Sequence, residues 1–537
     1  MTTETVELNL GDGIGSWGDL FALRDTQVHV VGAGSVEGAH LLLFLANHGF
    51  TRLVGHDFST AETFPRAFTR VHVGWPLADR KRMLEQLLDS VEMRYRGAYL
   101  DGIAGADAIG VTQGWYLYDN NQPLMASEEL RRRFFSLVQL YLGLSPGPVI
   151  GVTGSQGKST TTRLLRDILV SAGLDVIYAG NDRHGQQALD RLEKATEQTH
   201  LVLEISNRHL KMLHRSPHVA VVTNVYPNHL EEHGGWDGYV EAKTNLVRWQ
   251  KPGDIAVLNA DLQVTRDMAA ATPALKYWFG ESLAESTARG ELPHGAGDVA
   301  VGPARIFGAG VEGQPGYEQL SAFRVPLTEI PVAGRHNALN VAAAAAAALA
   351  MGIGRGNVLD AVRKFKGLKH RIQFIWSSDG VKFYDDLNST TPTATEVALR
   401  TLEKEVVWIF GGQDKGLDGS SLAETAKGRV KVALALPGEG TEAIARVLES
   451  SGVPVERVSD FSSVVRRAVE LAEDGDSVLL SPACPGFFSL YYVGADEDTG
   501  FKKLVREATL PAAASPRPTP GPTSPRPTSL LARKPQR

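Results

Sequence analysis

Residues 148–167 read PVIGVTGSQGKSTTTRLLRD, and this stretch decides the fold of the region around it. The short apolar run at residues 149–152 predicts a buried strand, and aliphatic residues at helical spacing after residue 158 predict a helix. The turn between them holds glycines, which let backbone N–H groups approach an anion at the start of the helix. The sequence therefore predicts a phosphate cradle for a nucleoside triphosphate.

The residue types in this turn fit the parts of a P-loop. Lys158 would reach the outer phosphates, and the hydroxyl of Ser159 or Thr160 would bind Mg²⁺. The general P-loop pattern has a glycine where Val152 stands, so the spacing is one residue off. An ordinary glycine-containing turn is the alternative. We predict nucleotide contacts from six residues of the turn: Gly154, Ser155, Gly157, Lys158, Ser159 and Thr160.

Length and composition restrict the class of protein. A chain of 537 residues is too long for one core, so two to four domains are expected. The single cysteine, Cys484, excludes internal disulfides and fits the cytoplasm, and no apolar run is long enough to insert in a membrane. A net charge of −6 argues against a general nucleic-acid binder. Residues 511–537 hold eight prolines and five basic residues, which predicts a disordered tail.

The N-terminal region resembles a nucleotide-binding unit. Residues 27–32 predict a strand, and glycines follow it at positions 32, 34 and 38 before a helical pattern. The third glycine is displaced by one position, so the pattern indicates a nucleotide or phosphate at the sheet edge rather than NAD specifically. Asp57 ends the next predicted strand and would contact a ribose or base, or be a solvated loop acid. Another predicted strand, at residues 106–111, leads to Gly114.

Strands and helices alternate after the P-loop, which predicts a mostly parallel, doubly wound α/β sheet. Polar residues follow the predicted strands at Asn181, Glu204 and His229, and a helix at residues 236–249 carries Lys243. Strand exits line the ligand crevice in such sheets. A carboxylate within an apolar strand is costly unless it is paired, so Glu204 is a functional candidate. A second parallel sheet is predicted after an alanine-rich helix near residue 341.

Eight motifs in this order resemble those of the Mur ligase superfamily, and the resemblance covers residues 27–508. Asn228 stands where the third motif usually has an aspartate. The motifs lie at residues 153–160 (TGSQGKST), 203–206 (LEIS), 224–229 (NVYPNH), 239–243 (YVEAK), 334–340 (GRHNALN), 368–371 (LKHR), 411–415 (GGQDK) and 480–484 (LSPAC).

The resemblance implies an α/β protein of three domains, each built on a mostly parallel sheet. A Rossmann-like domain at residues 1–145 would bind a UDP-sugar. A P-loop ATPase domain would occupy residues 146–333, and a second Rossmann-like domain residues 334–510. The implied activity is an ATP-dependent ligation in peptidoglycan precursor synthesis, which adds D-glutamate to UDP-N-acetylmuramoyl-L-alanine through an acyl phosphate. A cytoplasmic monomer acting on these small molecules is expected.

The resemblance also implies roles for single residues. The implied catalytic residues are Lys158, Glu204, His229 and Lys243. Two Mg²⁺ ions would be held by Ser159, Glu204, His229 and a carbamylated Lys243. The UDP-sugar would contact Gly34, Ser35, Asp57, Gly114, Asn181 and Ser206. The nucleotide would also contact Asn337, Arg371 and Asp386, and the amino acid would contact Lys415, Gly486 and Phe487.

Two departures from the family pattern fall in the implied amino-acid pocket. Asn388 stands where the family commonly has a lysine, and residues 485–490 read PGFFSL where a different serine-containing motif is usual. L-Glutamate or another amino acid is therefore an alternative substrate. Another alternative is a nucleotide-binding paralogue that no longer ligates, which the presence of all four implied catalytic residues disfavours. A folylpolyglutamate synthase is disfavoured because such enzymes lack the N-terminal glycine-rich domain.

Overall fold

A computed structural model of the chain describes residues 10, 13–72, 75–179, 188–228, 230–289, 295–332, 334–402, 405–414, 416, 418–491 and 500–510. Three sheets organise these residues, and each is mostly parallel. The chain divides into two compact units, Met1–Gly367 and Leu368–Arg537. The first unit holds two of the sheets, and the second holds one.

The first sheet has five parallel strands in the order β3-β2-β1-β4-β5. Its inner strands are buried along their whole length, which fits a parallel sheet covered on both faces. The strands are β1 Val28–Val31, β2 Leu53–His56, β3 Glu92–Arg94, β4 Ala108–Val111 and β5 Phe134–Phe135. The helices are α1 Trp17–Phe21, α2 Val36–Asn47, α3 Phe64–Val71, α4 Leu77–Ser90, α5 Gln122–Ala126, α6 Glu128–Arg131 and α7 Leu137–Leu144.

The central sheet has nine strands in the order β14-β13-β12-β11-β10-β9-β6-β8-β7, parallel except at β13 and β14. The strands are β6 Val149–Thr153, β7 Val176–Ala179, β8 His200–Glu204, β9 Val219–Val222, β10 Ile255–Asn259, β11 Leu275–Gly280, β12 Gly297–Val301, β13 Arg305–Gly310 and β14 Arg324–Pro326. The helices are α8 Lys158–Ser171, α9 Leu189–Leu192, α10 Asn207–Leu210, α11 Leu230–His233, α12 Trp236–Arg248, α13 Gln263–Met268, α14 Ala284–Ala288, α15 Tyr317–Ser321, α16 Arg335–Ala350 and α17 Arg355–Lys364.

The alanine-rich helix α16 belongs to the first unit. Its alanines are fully buried in one core with β6, α8 and the strands β9–β13, because small side chains allow close approach to the sheet. The division between the units therefore falls after Gly367, not at the boundary of residue 334 that the sequence motifs suggested. The polar motif at residues 334–340 forms the start of this helix, and a composition shift alone does not distinguish such a helix start from a domain start.

The second unit is a six-stranded sheet in the order β15-β16-β20-β17-β18-β19, parallel except for the β15–β16 pair. Its strands are β15 Gln373–Ser378, β16 Val381–Asp385, β17 Val406–Gly411, β18 Val430–Ala435, β19 Val455–Arg457 and β20 Ser477–Ala483. Its helices are α18 Pro392–Thr401, α19 Ser420–Ala426, α20 Glu439–Ser450, α21 Phe461–Leu471, α22 Phe487–Tyr491 and α23 Gly500–Thr509.

The structure confirms the predicted doubly wound α/β fold and the strands predicted from apolar runs. Residues 58–100, which carry no motif, form α3, α4 and edge strand β3. The strands β10–β14 were not predicted, and they extend the central sheet by five members. In the part of the chain that is described, no helix is both long and apolar enough to cross a membrane. The predicted tail at residues 511–537 lies outside the described residues.

Three histidines near the first sheet are fully buried, His29 on β1, His56 on β2 and His72 after α3. Burial, with a further contribution from neighbouring His56, lowers the pKa of His29 to about 4. Burial and the neighbouring His40 lower the pKa of His72 to about 4 as well. The side chains of His29 and His72 are therefore neutral in the folded protein at neutral pH.

We expect the first unit to lose stability as the pH falls from about 6.5 to about 4. In that window the unfolded chain binds protons at His29 and His72 that the folded chain excludes. The loss should reach about 2 kcal/mol for each histidine between pH 7.5 and pH 5. His72→Phe, which keeps the ring packing on Phe68, should reduce this loss. Urea unfolding at the two pH values tests this, and equal losses in wild type and variant would contradict it.

Candidate active site

The predicted cradle lies between β6 and α8. Gly157 has φ +78° and begins the helix in a left-handed conformation, and Gly154 has φ +156°. A Cβ atom on Gly154 would stand 1.9 Å from Thr223 Oγ1, so no larger residue fits there. The Nζ of Lys158 lies over the loop and donates to Gly154 O at 2.9 Å and to Ser155 O at 3.3 Å. The predicted glycine turn and helix start are thus present as a close-fitting loop.

Neighbouring segments of the central sheet hold the loop in place. Asn224, after β9, accepts a hydrogen bond from Gln156 N at 2.9 Å, and the Thr223 hydroxyl donates to Gln156 O at 2.6 Å. Ser155 Oγ lies 2.9 Å from the hydroxyl of Tyr239 on α12 and donates to Tyr226 O at 2.9 Å. These bonds preorganise the loop backbone, which is what an anion-binding loop requires.

Helix α16 brings two asparagines of the motif at residues 334–340 to the cradle. Asn340 is buried, and a Cβ on Gly157 would stand 2.2 Å from its Oδ1. Its amide donates to Asn337 Oδ1 at 3.3 Å, and its Oδ1 lies 3.4 Å from Thr161 Oγ1. The structure therefore places Asn337, a predicted nucleotide residue, beside the start of the P-loop helix.

We expect Gly157→Ala to weaken nucleotide binding by about tenfold or more, because the new methyl group collides with Asn340 in addition to straining the backbone. Gly173→Ala is the matched control. Gly173 also has φ +78°, at the other end of the same helix, and nothing lies within 4 Å of its Cβ position. Titration calorimetry with ATP tests the prediction, and equal affinities for the two variants would contradict it.

Glu204 lies at the exit of β8, next to the P-loop strand. It is the last residue of that strand and is in register with Val152 on β6. The residue is half-buried rather than enclosed in the core. Its position at the carboxyl end of two parallel strands agrees with the predicted site. Its polarity is explained by the strand exit, where solvent or a cation can reach the carboxylate.

Lys243 is the most unusual residue of the site. It lies on α12, its side chain is 0% exposed, and its Nζ has no hydrogen-bond partner among the described residues. Burial, together with the charge of Lys158, lowers the pKa of Lys243 well below its usual range. Its Nζ lies 4.9 Å from the ring centre of Tyr239, whose hydroxyl contacts Ser155 of the P-loop. The site thus holds, beside the phosphate cradle, a buried amine whose pKa is lowered and which has no hydrogen-bond partner in the described part of the chain.

The predicted metal ligands are only partly described. Ser159 lies in the first turn of α8, Glu204 ends β8 and Lys243 lies on α12, while His229 is outside the described residues. No group of three or more histidine, cysteine, aspartate or glutamate side chains suited to a metal ion occurs within the described part of the chain. A lysine amine would become an oxygen ligand only after carbamylation.

The glycine turn of the first sheet has the predicted form. Ser35 is the N-cap of α2, and its hydroxyl accepts a hydrogen bond from Gly38 N at 3.0 Å. Both carboxylate oxygens of Asp57 accept backbone hydrogen bonds, from Gly34 N at 3.0 Å and Ser59 N at 2.8 Å. Asp57 therefore shapes the loop, a role that the sequence alone did not indicate.

Two other predicted UDP-sugar residues lie between the first sheet and the central sheet. Gly114 has φ +72°, and a Cβ there would stand 3.2 Å from Arg208 Cδ. Ser206 follows β8, is buried, and lies 3.3 Å from the side-chain oxygen of Gln113. The structure thus brings Gly114 and Ser206 to neighbouring segments. Asn181 lies outside the described residues.

In the second unit, a strained turn carries Arg371. The residues on either side, His370 and Ile372, have φ +57° and +46°, which is an uncommon conformation for any residue except glycine. Asp385 Oδ2 lies 2.9 Å from His370 Nδ1, and Asp386 Oδ1 accepts a hydrogen bond from Ile372 N at 3.1 Å. Strained backbone held by several bonds occurs often at functional sites, which supports a role for Arg371.

Asp386 differs from its predicted role as a direct nucleotide contact. Its side chain is 2% exposed, and it also accepts a hydrogen bond from Ser481 Oγ at 2.8 Å. Burial raises the pKa of Asp386 to about 6, against the opposing effect of these hydrogen bonds. The carboxyl group is used inside the second unit, where it holds the turn of Arg371 against β20. Asp386 is better described as supporting Arg371.

The three residues predicted to contact the amino-acid substrate differ in where the structure places them. Phe487 is 1% exposed and packs against Phe461 and Tyr491, so its side chain belongs to the core of the second unit and cannot line a substrate pocket there. Gly486 is partly exposed and has φ +80°. Lys415 lies outside the described residues.

Sequence reasoning missed three residues that shape the cradle. Tyr239 stands four residues before Lys243, so both lie on one face of α12, and this spacing was the available signal. Asn224 and Asn340 lie inside quoted motifs, but their contacts with Gln156 and Gly157 join segments far apart in the sequence. No local pattern indicates such contacts.

Comparison with known proteins gives the family. Residues 152–348 match the Mur ligase middle domain, and residues 370–484 match the family described as Mur ligase, glutamate ligase domain. A UDP-N-acetylmuramoylalanine–D-glutamate ligase of Symbiobacterium thermophilum is 35% identical over 482 residues, which cover 89% of this chain and 97% of the relative. The enzyme of that name from Clostridium novyi is 30% identical over 72% of this chain and 80% of its own.

Two solved structures share the fold at low sequence identity. The UDP-N-acetylmuramate-alanine ligase MurC of Thermotoga maritima is 17% identical, with a TM-score of 0.51 over 90% of this chain and 98% of its own. The MurF ligase of Thermotoga maritima, solved in complex with ADP, is 18% identical, with a TM-score of 0.51 over 80% of this chain and 92% of its own. On these matches and on its P-loop site, the chain belongs to the Mur ligase family of ATP-dependent ligases.

Proposed function

We propose that the chain joins D-glutamate to the carboxylate of UDP-N-acetylmuramoyl-L-alanine, with hydrolysis of ATP to ADP and phosphate. The observation that carries the proposal is the amine of Lys243, which is buried near the P-loop lysine and has no hydrogen-bond partner among the residues that the structure describes. Phosphate binding by the loop alone does not require a buried amine. In carboxylate activation with metal ions, the amine could become a carbamate that binds a metal ion. The relatives that match most of the chain are named UDP-N-acetylmuramoylalanine–D-glutamate ligases, which supports these substrates.

In the first step, a carboxylate oxygen of the UDP-sugar attacks the γ-phosphorus of ATP. A new O–P bond forms, the bond from the γ-phosphorus to the bridging oxygen breaks, and ADP leaves. The protein contributes positioning and charge neutralisation. Lys158 supplies a positive charge at the start of α8, and N–H groups of the loop around Gly154 and Gly157 are proposed to bind the phosphates.

In the second step, the amine nitrogen of the amino acid attacks the acyl carbon. The C–N bond forms, the C–O bond to phosphate breaks, inorganic phosphate leaves, and the amine loses a proton. Arg371 in its strained turn and Lys415 are proposed to meet the nucleotide and the amino acid.

Lys243 fits the carbamate that the family resemblance implies. Only a neutral amine adds to carbon dioxide, and burial with the charge of Lys158 lowers the pKa of Lys243, which favours the neutral form. The carbamate would be an oxygen ligand, and Ser159, Glu204 and His229 would complete the ligands of two Mg²⁺ ions. When bound, Mg²⁺ neutralises charge on the phosphoryl group.

The proposal also extends to binding sites and cellular context. Gly34, Ser35, Asp57, Gly114, Asn181 and Ser206 are proposed to hold the UDP-sugar. The sheet of residues 1–145 would serve as its binding domain, and the central sheet would serve as the ATPase domain. A cytoplasmic monomer remains our expectation. The identity of the amino acid is the open alternative, since Asn388 replaces a usual lysine and residues 485–490 depart from the family pattern.

The function is tested with ATP, Mg²⁺, UDP-N-acetylmuramoyl-L-alanine and a panel of D- and L-amino acids, by measuring phosphate release. We expect release with D-glutamate and little release without an amino acid. Release with L-glutamate or another amino acid alone would establish the alternative substrate. Absence of release with every amino acid would contradict the ligase function and favour a non-catalytic paralogue.

A further inference from the structure

Three polar side chains form a hydrogen-bonded line between the first sheet and the central sheet. Ser206 Oγ lies 3.0 Å from His209 Nδ1, and His209 Nε2 lies 2.6 Å from Glu37 Oε1. Ser206 and His209 are 6% and 9% exposed, and the Glu37 side chain is 17% exposed. The line is therefore largely shielded from solvent, where such bonds are strong and specific.

Each end of this line belongs to a predicted substrate site. Glu37 lies in the first turn of α2, directly after the glycine turn that carries Gly34 and Ser35. Ser206 stands two residues after Glu204, at the exit of β8 next to the P-loop strand. The two ends are far apart in the sequence. The His209 side chain joins them by the two shorter side-chain contacts, and Gln113 also contacts both, through its backbone N–H to Glu37 and its side-chain oxygen to Ser206.

The glutamate end is firmly anchored. Glu37 Oε2 accepts a hydrogen bond from Gln113 N at 2.8 Å, while Oε1 faces His209. Burial acts to raise the pKa of Glu37, but His209 and the Gln113 N–H outweigh it, and the pKa lies below its usual value. The carboxylate is thus charged, and it orients the imidazole by accepting its Nε2 proton.

Capping of the short helix α10 does not account for the line. The cap uses the Ser206 oxygen and the backbone N–H of His209, at 3.4 Å. It requires neither an imidazole at position 209 nor a carboxylate at position 37. The ring adds a second, shorter bond to the same oxygen and ties it to the first sheet. The Ser206 oxygen is thereby held between the His209 imidazole at 3.0 Å and the side-chain oxygen of Gln113 at 3.3 Å.

We propose that His209 is a positioning residue. Held by Glu37, it fixes the Ser206 hydroxyl at the end of β8 in the orientation that receives the carboxylate end of the UDP-sugar. This inference rests on the proposed ligase function and deepens it. It attributes the orientation of the Ser206 side chain toward the substrate to hydrogen bonds that lead through His209 to Glu37 of the first sheet region. His209 acts through Ser206 and does not itself contact the reacting atoms.

The test compares KM for UDP-N-acetylmuramoyl-L-alanine with KM for ATP in His209→Leu, His209→Gln and Ser206→Ala. We expect His209→Leu to raise the KM for the UDP-sugar by about tenfold and to leave the KM for ATP within about twofold. His209→Gln keeps polar atoms that can bridge Glu37 and Ser206, so it should recover part of the loss. The double variant of His209→Leu and Ser206→Ala should be no worse than Ser206→Ala alone, because both remove the same contact.

His48→Gln is the matched control. His48 Nε2 lies 3.1 Å from Glu193 Oε1, so this pair also joins α2 to the central-sheet region, but without contact to Ser206. Calorimetric binding of the UDP-sugar and thermal melting are measured for every variant. A His209→Leu protein that matches His48→Gln, or a double variant whose losses multiply, would overturn the positioning role. Wild-type protein without binding or turnover would instead contradict the proposed function.

Discussion

Lys243→Met is expected to abolish most ligase turnover, by on the order of 10²- to 10³-fold, while raising the stability of the first unit. Both effects, the loss of turnover and the gain in stability, follow from the removal of the buried amine. The buried amine has no hydrogen-bond partner in the described structure, so an apolar side chain of similar length removes an unfavourable group from the core. The same change removes the amine nitrogen that would carry the proposed carbamate.

Phosphate release measures the turnover, and the urea midpoint measures the stability. A smaller variant, Lys243→Ala, leaves room for a short carboxylate such as acetate, which should restore part of the turnover. Lys276→Met is the control. Lys276 lies on β11 of the central sheet, and its half-buried amine has a hydrogen-bond partner, Thr272 O. Full turnover in Lys243→Met would refute the carbamate assignment, and a lowered midpoint would show that the amine has a stabilising partner.

Lys158→Met is the second variant with a large expected effect. Turnover should fall by about 10³-fold or more, because the positive charge at the start of α8 is lost from the phosphate site. Binding of the UDP-sugar should be unchanged, since its proposed residues lie near the first sheet and at the exit of β8. Calorimetry with each substrate separates the two effects.

A second consequence of Lys158→Met concerns Lys243. The charge of Lys158 contributes to the lowered pKa of Lys243, so its removal should raise that pKa and make the amine harder to carbamylate. The ¹³C NMR signal of a carbamate, titrated with labelled bicarbonate, should therefore need more bicarbonate to reach half-saturation. Loss of both nucleotide and UDP-sugar binding would show misfolding, and Lys158→Arg provides a variant that retains the charge.

Much of the fold could be predicted from the sequence because its signals are local. A buried parallel strand appears in the sequence as a continuous apolar run, and Gly157 and Lys158 indicate the start of α8. The strands β10–β14 were not predicted, because the prediction followed the motifs and none of the motifs lies in these strands. The boundary near residue 334 was misplaced because α16 packs into a core whose other members lie far away in the sequence.

For the site residues too, local motifs allowed prediction, whereas properties that depend on distant neighbours did not. The P-loop residues, Glu204 and Lys243 could be chosen from motifs, and the structure places Glu204 and Lys243 around the central sheet. Phe487 was misjudged because exposure depends on the three-dimensional neighbours Phe461 and Tyr491. Asp57 likewise proved to be part of its own loop.

The sequence by itself determined a nucleotide-binding α/β protein with a P-loop, because glycine conformation, helix starts and apolar runs are set by residues close together in the chain. Only the tertiary structure decided that Lys243 is buried with a lowered pKa and no partner among the described residues, that Asp386 is enclosed, and that His209 joins Glu37 to Ser206. Burial, pKa and hydrogen bonding depend on atoms from distant segments, and these properties turn a phosphate cradle into a site for carboxylate activation.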